Sequence, residues 1–99
     1  MKTLYLIRHA KTDWSDESLS DFDRPLNKRG SKDAPLMGSK LSEAGVCPDL
    51  IIASPALRAK TTALAIASAL SYPSDSIRYD HDLYACDVET ILSIIRGVE

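Results

Sequence analysis

The chain has 99 residues and a formal net charge of −2, with 44% hydrophobic and 26% charged residues. This length predicts one domain, residues 1–99, with a modest hydrophobic core. The charge balance gives no general attraction to nucleic acid or to an anionic membrane, since both require a basic excess or a basic face. Because no apolar run is long enough for a signal-peptide core or a membrane span, we expect a cytoplasmic protein.

The first predicted element is a strand. The four apolar residues at 4–7 are typical of a strand buried on both faces, as in parallel sheets. The run stops at Arg8 and His9, which would lie at the carboxyl end of a central strand, where open α/β sheets bind ligands. The segment 12–26 that follows is rich in acidic residues and is predicted to form a long surface loop anchored by Trp14 and Phe22.

The next predicted element is a helix that begins near Lys28, where Asn27 can act as its N-cap. Apolar residues recur at helical spacing along this segment, and Gly45 is a natural end for it. Pro35 leaves two alternatives open, which are a kinked helix or a later start near Asp33.

The second half of the chain repeats the alternation of strand and helix. Residues 50–53 predict a strand, and the Ser-Pro pair at 54–55 predicts the start of a helix that runs to about Leu70. A third strand over 76–79 and an amphipathic helix capped by Asp87 follow. This order predicts an α/β fold with three layers, α/β/α, in which helices cover both faces of a mostly parallel sheet. Since a fourth strand is due where the chain stops, we expect the sheet to be incomplete at its C-terminus.

Three side chains are candidates for binding an anion. Arg58 lies in the first turn of the helix after the second strand, and the carboxyl ends of parallel strands open onto the same edge. Arg8, His9 and Arg58 are therefore expected to converge beside a helix N-terminus, an arrangement that suits a phosphate group. The alternative for Arg58 is an arginine on the outer surface of the helix.

Three motifs follow one another along the chain. They are Leu-Ile-Arg-His-Ala-Lys-Thr-Asp-Trp at 6–14, Asp-Arg-Pro-Leu-Asn-Lys-Arg-Gly at 23–30 and Ser-Pro-Ala-Leu-Arg-Ala-Lys-Thr-Thr at 54–62. In this order they resemble the histidine phosphatase superfamily, and more closely its small SixA-type phosphohistidine phosphatases. The resemblance covers most of the chain and implies a phosphoglycerate mutase-like fold.

The resemblance also implies a role for each matching residue. His9 would be the nucleophile that takes the phosphoryl group as a transient phosphohistidine, while Arg8 and Arg58 would clamp the phosphoryl oxygens. The other implied phosphate-binding residues are Thr12, Ser15 and Arg24, with a solvent-exposed loop arginine as the alternative for Arg24. An imidazole with an unperturbed pKa of about 6.5 supplies much free nucleophile near neutral pH. Since phosphoryl transfer requires mainly positioning and charge neutralisation, we expect neither a metal nor a cofactor.

The chain departs from the family pattern at the position of the general acid, and this departure bears on the substrate. Ala85 stands where mutase-like and acid phosphatase-like members carry an acid, and Asp82 and Asp13 remain as candidate proton donors. Protonated imidazole is a better leaving group than an alkoxide, so the missing acid favours a phosphohistidine substrate.

The second pocket histidine of the family has no counterpart, because the surroundings of His81 do not match its motif. We therefore expect a chain without the C-terminal part that carries this histidine, and a loop or surface position for His81.

The expected function is that of a phosphohistidine phosphatase, which acts on a phosphohistidine-containing protein through a phospho-His9 intermediate. Two alternatives remain open. One is a catalytically impaired module that binds phosphate or phosphohistidine, and the other is a phosphatase of small phosphate monoesters. An open sheet edge also predicts strand exchange between copies of the chain.

Overall fold

The computed structural model describes residues 4–7, 18–84 and 88–98. Its longer elements are α1 (Lys28–Glu43), β1 (Ile52–Ala53), α2 (Leu57–Ala69), β2 (Arg78–Tyr79) and α3 (Val88–Arg96). Single-turn 3₁₀ helices lie at Asp21–Asp23, Ser74–Ser76 and His81–Leu83. β1 and β2 pair in parallel, with Ile52 opposite Arg78 and Ala53 opposite Tyr79, and α2 connects them. The predicted α/β class with a parallel sheet is confirmed.

The predicted start of α1 is confirmed by its cap. Asn27 Oδ1 accepts a hydrogen bond from the backbone N–H of Gly30 at 2.7 Å. Pro35 lies inside the helix, so the alternative of a later start is wrong. At the other end, Gly45 adopts a φ of 79°, and its N–H and that of Val46 return to carbonyl groups of the last helical turn. This is the Schellman arrangement, in which glycine accepts the left-handed backbone without a Cβ clash.

α2 begins at Leu57, later than the Ser-Pro pair predicts. The Ser54 Oγ accepts a hydrogen bond from the N–H of Ala56 at 3.2 Å, so the serine stabilises a turn ahead of the helix rather than capping it. The predicted end near Leu70 is confirmed, and Ser71 beyond it has a φ of 57°.

The hydrophobic core lies between α2 and the sheet. Ala63, Ala67 and Ile77 are buried there, and the partly buried residues around them are Ile51, Ala53, Tyr72 and Tyr79. α1 packs against α2 at Gly38, where an added Cβ would lie 2.7 Å from the Cβ of Ala69. Small side chains therefore set the distance between the two helices.

The first predicted strand is wrong for this structure. Residues 4–7 are assigned to no strand, and their side chains are exposed, by 74% for Leu6 and 45% for Ile7. An apolar run predicts burial, but a strand also needs a partner, and β1 and β2 pair with each other over two residues each. Residues 4–7 instead lie along an open apolar groove of about 540 Å³, which Met37 and Ile66 also line. Strand exchange through an open edge stays a prediction.

The final helix lies where the sequence predicts it, but the described residues cover its apolar side only in part. Val88 is 70% exposed and Leu92 is 42% exposed. The predicted cap, Asp87, lies outside the described residues, and so does Trp14. Phe22, the other predicted loop anchor, is half-buried. None of the described helices is long and apolar enough to cross a membrane.

Candidate active site

The structure describes two of the six predicted site residues. Arg58 and Arg24 are described, and the remaining four lie outside the described residues: Arg8, His9, Thr12 and Ser15. The convergence of His9 with the two arginines therefore stays a prediction. The described part of the candidate site consists of Arg58 and the residues around it.

Arg58 occupies the second position of α2, directly after the segment that follows β1. Its side chain is 14% exposed. Nη1 donates to the backbone carbonyl oxygen of Asp21 at 2.6 Å, and Nη2 donates to Asp21 Oδ2 at 3.0 Å. Arg58 is therefore not a freely solvated arginine of the helix surface, because its side chain is mostly covered and one residue of the acidic loop accepts from two of its nitrogens.

Tyr84 contacts both Asp21 and Arg58. Its hydroxyl donates to the same Asp21 Oδ2 at 2.6 Å, and Arg58 Cζ lies 5.7 Å from the centroid of its ring. Phe22 packs edge-on against Tyr84, with ring centroids 5.2 Å apart. Asp21, Arg58 and Tyr84, called the arginine cluster below, thus join three segments that are distant in the sequence.

The electrostatics of the arginine cluster favour an ionised aspartate beside a neutral tyrosine. The pKa of Asp21 is lowered, first by the hydrogen bond from Tyr84 and next by that from Arg58. The positive charge of Arg24 adds a smaller lowering. The pKa of Tyr84 is raised, chiefly by its hydrogen bond to the Asp21 carboxylate. Asp21 is therefore a carboxylate at neutral pH, and Tyr84 remains a hydrogen-bond donor.

Arg24 and His81 lie close to the arginine cluster. Arg24 directly follows the 3₁₀ helix that carries Asp21, and it is half-buried rather than fully solvent-exposed. His81 is exposed on a single-turn helix, which confirms the predicted surface position. Its ring stacks on Phe22 with centroids 5.9 Å apart and meets the ring of Tyr84 at 6.2 Å. Its contacts are those of a packing residue.

Of the two candidate proton donors, Asp82 and Asp13, the structure describes Asp82. Asp82 is exposed, and its backbone N–H donates to Asp80 Oδ1 at 2.9 Å. Asp13 and Ala85 lie outside the described residues. Within the described ranges, no group of three or more His, Cys, Asp or Glu residues is arranged to hold a metal ion.

Sequence reasoning missed Asp21 and Tyr84 as partners of Arg58. The interpretation of the acidic loop did not single out Asp21 among its neighbours. One signal could have indicated an acidic partner, because an arginine whose side chain is largely covered needs a carboxylate beside it. Which acid supplies it depends on a contact across 37 residues, and no sequence period encodes such a distance.

The N-terminus of a helix that follows a parallel strand is a common anion-binding site in α/β proteins, and Arg58 lies in the first turn of such a helix. Residues 4–89 match the family model described as "Histidine phosphatase superfamily (branch 1)". The chain belongs to this superfamily.

Two solved structures resemble the chain closely. A candidate phosphohistidine phosphatase SixA from Agrobacterium tumefaciens is 34% identical, with a TM-score of 0.83 over 92% of this chain and 58% of its own. The protein histidine phosphatase SixA in complex with tungstate is 27% identical, with a TM-score of 0.80 over 93% of this chain and 58% of its own.

The relatives also include mutases. A 2,3-bisphosphoglycerate-dependent phosphoglycerate mutase of Clavibacter michiganensis is 34% identical over 63% of this chain and 26% of its own length. The chain thus spans less than two thirds of each of these proteins.

Proposed function

We propose that the protein is a phosphohistidine phosphatase, which removes the phosphoryl group from a phosphohistidine-containing protein through a phospho-His9 intermediate. One observation carries the proposal: the Arg58 side chain is only 14% exposed, and its guanidinium is held at the start of α2 by two hydrogen bonds to Asp21. Membership of the histidine phosphatase superfamily and similarity to the SixA structures support it. We place the reaction in the cytoplasm, on a signalling or phosphotransfer protein.

The proposed reaction has two steps. In the first, an imidazole nitrogen of His9 attacks phosphorus and the P–N bond of the substrate breaks. The leaving imidazole takes up a proton from solvent, and the phosphorylated imidazole of His9 returns one to it. In the second, a water molecule attacks the phosphorus of phospho-His9, the P–N bond to His9 breaks, and the proton that the water loses restores the neutral imidazole as inorganic phosphate leaves. Each step moves a dianionic group between nucleophiles, so catalysis depends on holding its oxygens in place and offsetting their charge.

Arg58 has the chemistry that these steps require. A guanidinium carries five N–H donors in a planar fork, and Asp21 accepts from two of them. The others suit a phosphoryl oxygen, as do the backbone N–H groups at the start of α2 and the positive end of its dipole. In this proposal Arg8, Thr12, Ser15 and Arg24 supply the further contacts to phosphate. The proposal invokes neither a metal nor a cofactor.

A second candidate is a phosphatase of small phosphate monoesters. The similarity to a phosphoglycerate mutase favours it, because that protein is named for a small phosphorylated substrate. A third candidate, a module that binds phosphate without turnover, differs from both in its kinetics. One set of assays separates the three.

The experiment uses ³²P-labelled peptides that carry either phosphohistidine or phosphoserine. A phosphohistidine phosphatase releases phosphate from the first peptide faster than from the second and acquires an acid-labile label, which His9→Ala abolishes. Arg58→Ala should slow phosphate release, whereas Arg29→Ala should not. Arg29 is a matched control, because it pairs with Asp33 on the exposed side of α1 and its side chain is 72% exposed.

Equal rates on the two peptides would favour the monoester phosphatase. Tight phosphate binding without release of label would favour the binding module. A protein that acquires no acid-labile label at any pH would refute the proposed intermediate.

A further inference from the structure

The arginine cluster holds the Arg58 guanidinium through a single residue at two places. The backbone carbonyl and the carboxylate of Asp21 accept from Nη1 and Nη2 respectively. Two bonds at different nitrogens fix both the position of the guanidinium and the orientation of its plane. An arginine side chain would otherwise sample many rotamers, since it has several rotatable bonds.

Tyr84 restrains the aspartate as well as the arginine. Its hydroxyl donates to the Asp21 oxygen that Arg58 uses, and its ring lies against the guanidinium. The tyrosine is itself restrained by edge-on packing against Phe22, the residue after Asp21. Each member of the arginine cluster thus contacts the other two, so that loss of one member removes two of the three contacts and loosens the third.

We infer that Asp21 and Tyr84 are positioning residues, which orient the Arg58 guanidinium for a phosphoryl oxygen before the substrate binds. This inference rests on the proposed function. The bonds to Asp21 leave donors of the same planar fork for a phosphoryl oxygen, and the fixed plane sets the direction in which those donors point. Neither Asp21 nor Tyr84 needs to touch the substrate to act in this way.

The opposite role for Asp21 would be that of an internal competitor, a carboxylate that occupies the arginine until phosphate displaces it. The two roles predict opposite changes in anion affinity. Removal of the Asp21 charge weakens anion binding if the residue positions Arg58, and tightens it if the residue competes. The sign of the change decides between them.

The experiment measures the affinity of the full chain for inorganic phosphate and for tungstate by titration calorimetry. Asp21→Asn retains the backbone carbonyl and the size of the side chain, and Tyr84→Phe retains the ring. Each should weaken binding about tenfold, the size expected when a charge-assisted hydrogen bond is lost. Asp23→Asn is the matched control and should bind as the parent does, since Asp23 lies on the same 3₁₀ helix but accepts from Ser20 Oγ instead.

A second measurement separates positioning from general destabilisation. In ¹⁵N NMR spectra of the arginine side chains, slow rotation about the Cζ–Nη bonds of Arg58 should be seen in the parent and in Asp23→Asn. It should be lost in Asp21→Asn and Tyr84→Phe, under conditions where thermal unfolding shows all variants to be folded. Unchanged rotation in these two variants would overturn the inference.

Arg58→Ala distinguishes failure of the inference from failure of the proposed function. If it leaves phosphate affinity unchanged, Arg58 does not bind the anion, and both proposals fail. If it weakens affinity while Asp21→Asn and Tyr84→Phe do not, the positioning roles alone are refuted. Tighter binding by Asp21→Asn would likewise refute positioning, in favour of competition.

Discussion

Replacement of Gly38 by alanine tests the close packing of α1 on α2. The added Cβ would lie 2.7 Å from Ala69 Cβ and 3.3 Å from the backbone Cα of Ile66. Carbon atoms normally pack about 3.5–4.0 Å apart, so the helices must separate by roughly 1 Å or the backbone must shift. Overpacking of this kind costs about 1–3 kcal/mol, whereas alanine in a helix interior gains about 1 kcal/mol over glycine.

We therefore expect Gly38→Ala to lower the free energy of unfolding by about 1 kcal/mol, measured by urea denaturation followed by circular dichroism. Ser39→Ala is the matched control. It occupies the exposed neighbouring position of α1 and should be neutral or slightly stabilising. In the double variant Gly38→Ala/Ala69→Gly the nearest clash is removed. The double variant should therefore lose less stability than the sum of the losses in the two single variants. A Gly38→Ala protein as stable as the parent would refute the reasoning.

Three further predictions concern stability. Ser71→Gly should raise the free energy of unfolding by about 0.5 kcal/mol, because glycine adopts the left-handed backbone of this position without strain. Ser68→Gly, inside α2, should lower the free energy of unfolding. Equal effects of the two substitutions in urea denaturation would contradict this. Asn27→Ala should cost about 1 kcal/mol through the lost cap, with Asn27→Ser close to the parent in the same assay. Asp21 has a folded pKa below its ordinary value of 3.8, so its contribution to stability is complete above pH 3.8 and is lost as the pH falls further. Denaturation curves at a series of acidic pH values should therefore show a shallower decline in Asp21→Asn than in Asp23→Asn.

The sequence predicts those features of the fold that depend on neighbouring residues. The cap at Asn27 and the left-handed glycine at position 45 need only a few residues on either side, and both are confirmed. The Ser-Pro pair at 54–55 indicates a helix start in the right region, but Ser54 can bond equally well to a turn ahead of the helix. Local chemistry thus identifies the element more securely than its first residue.

Features that depend on distant segments are less accessible from the sequence. Residues 4–7 have the local pattern of a buried strand, yet a strand forms only where its backbone pairs with a neighbour, and no local pattern encodes which segments pair. The third motif indicates Arg58 as an anion ligand. Its partners Asp21 and Tyr84 lie 63 residues apart and meet only in the folded chain.

The arginine cluster has a consequence for the order of folding. Arg58 belongs to the contiguous unit β1–α2–β2, residues 52–79, whose core contacts are short in sequence. Asp21 and Tyr84 flank this unit on either side, and their hydrogen bond closes a much longer loop, which is entropically more expensive. We expect this unit to form first, with the arginine still free to rotate, and the flanking residues to fix its direction only as the last contacts of the chain are made.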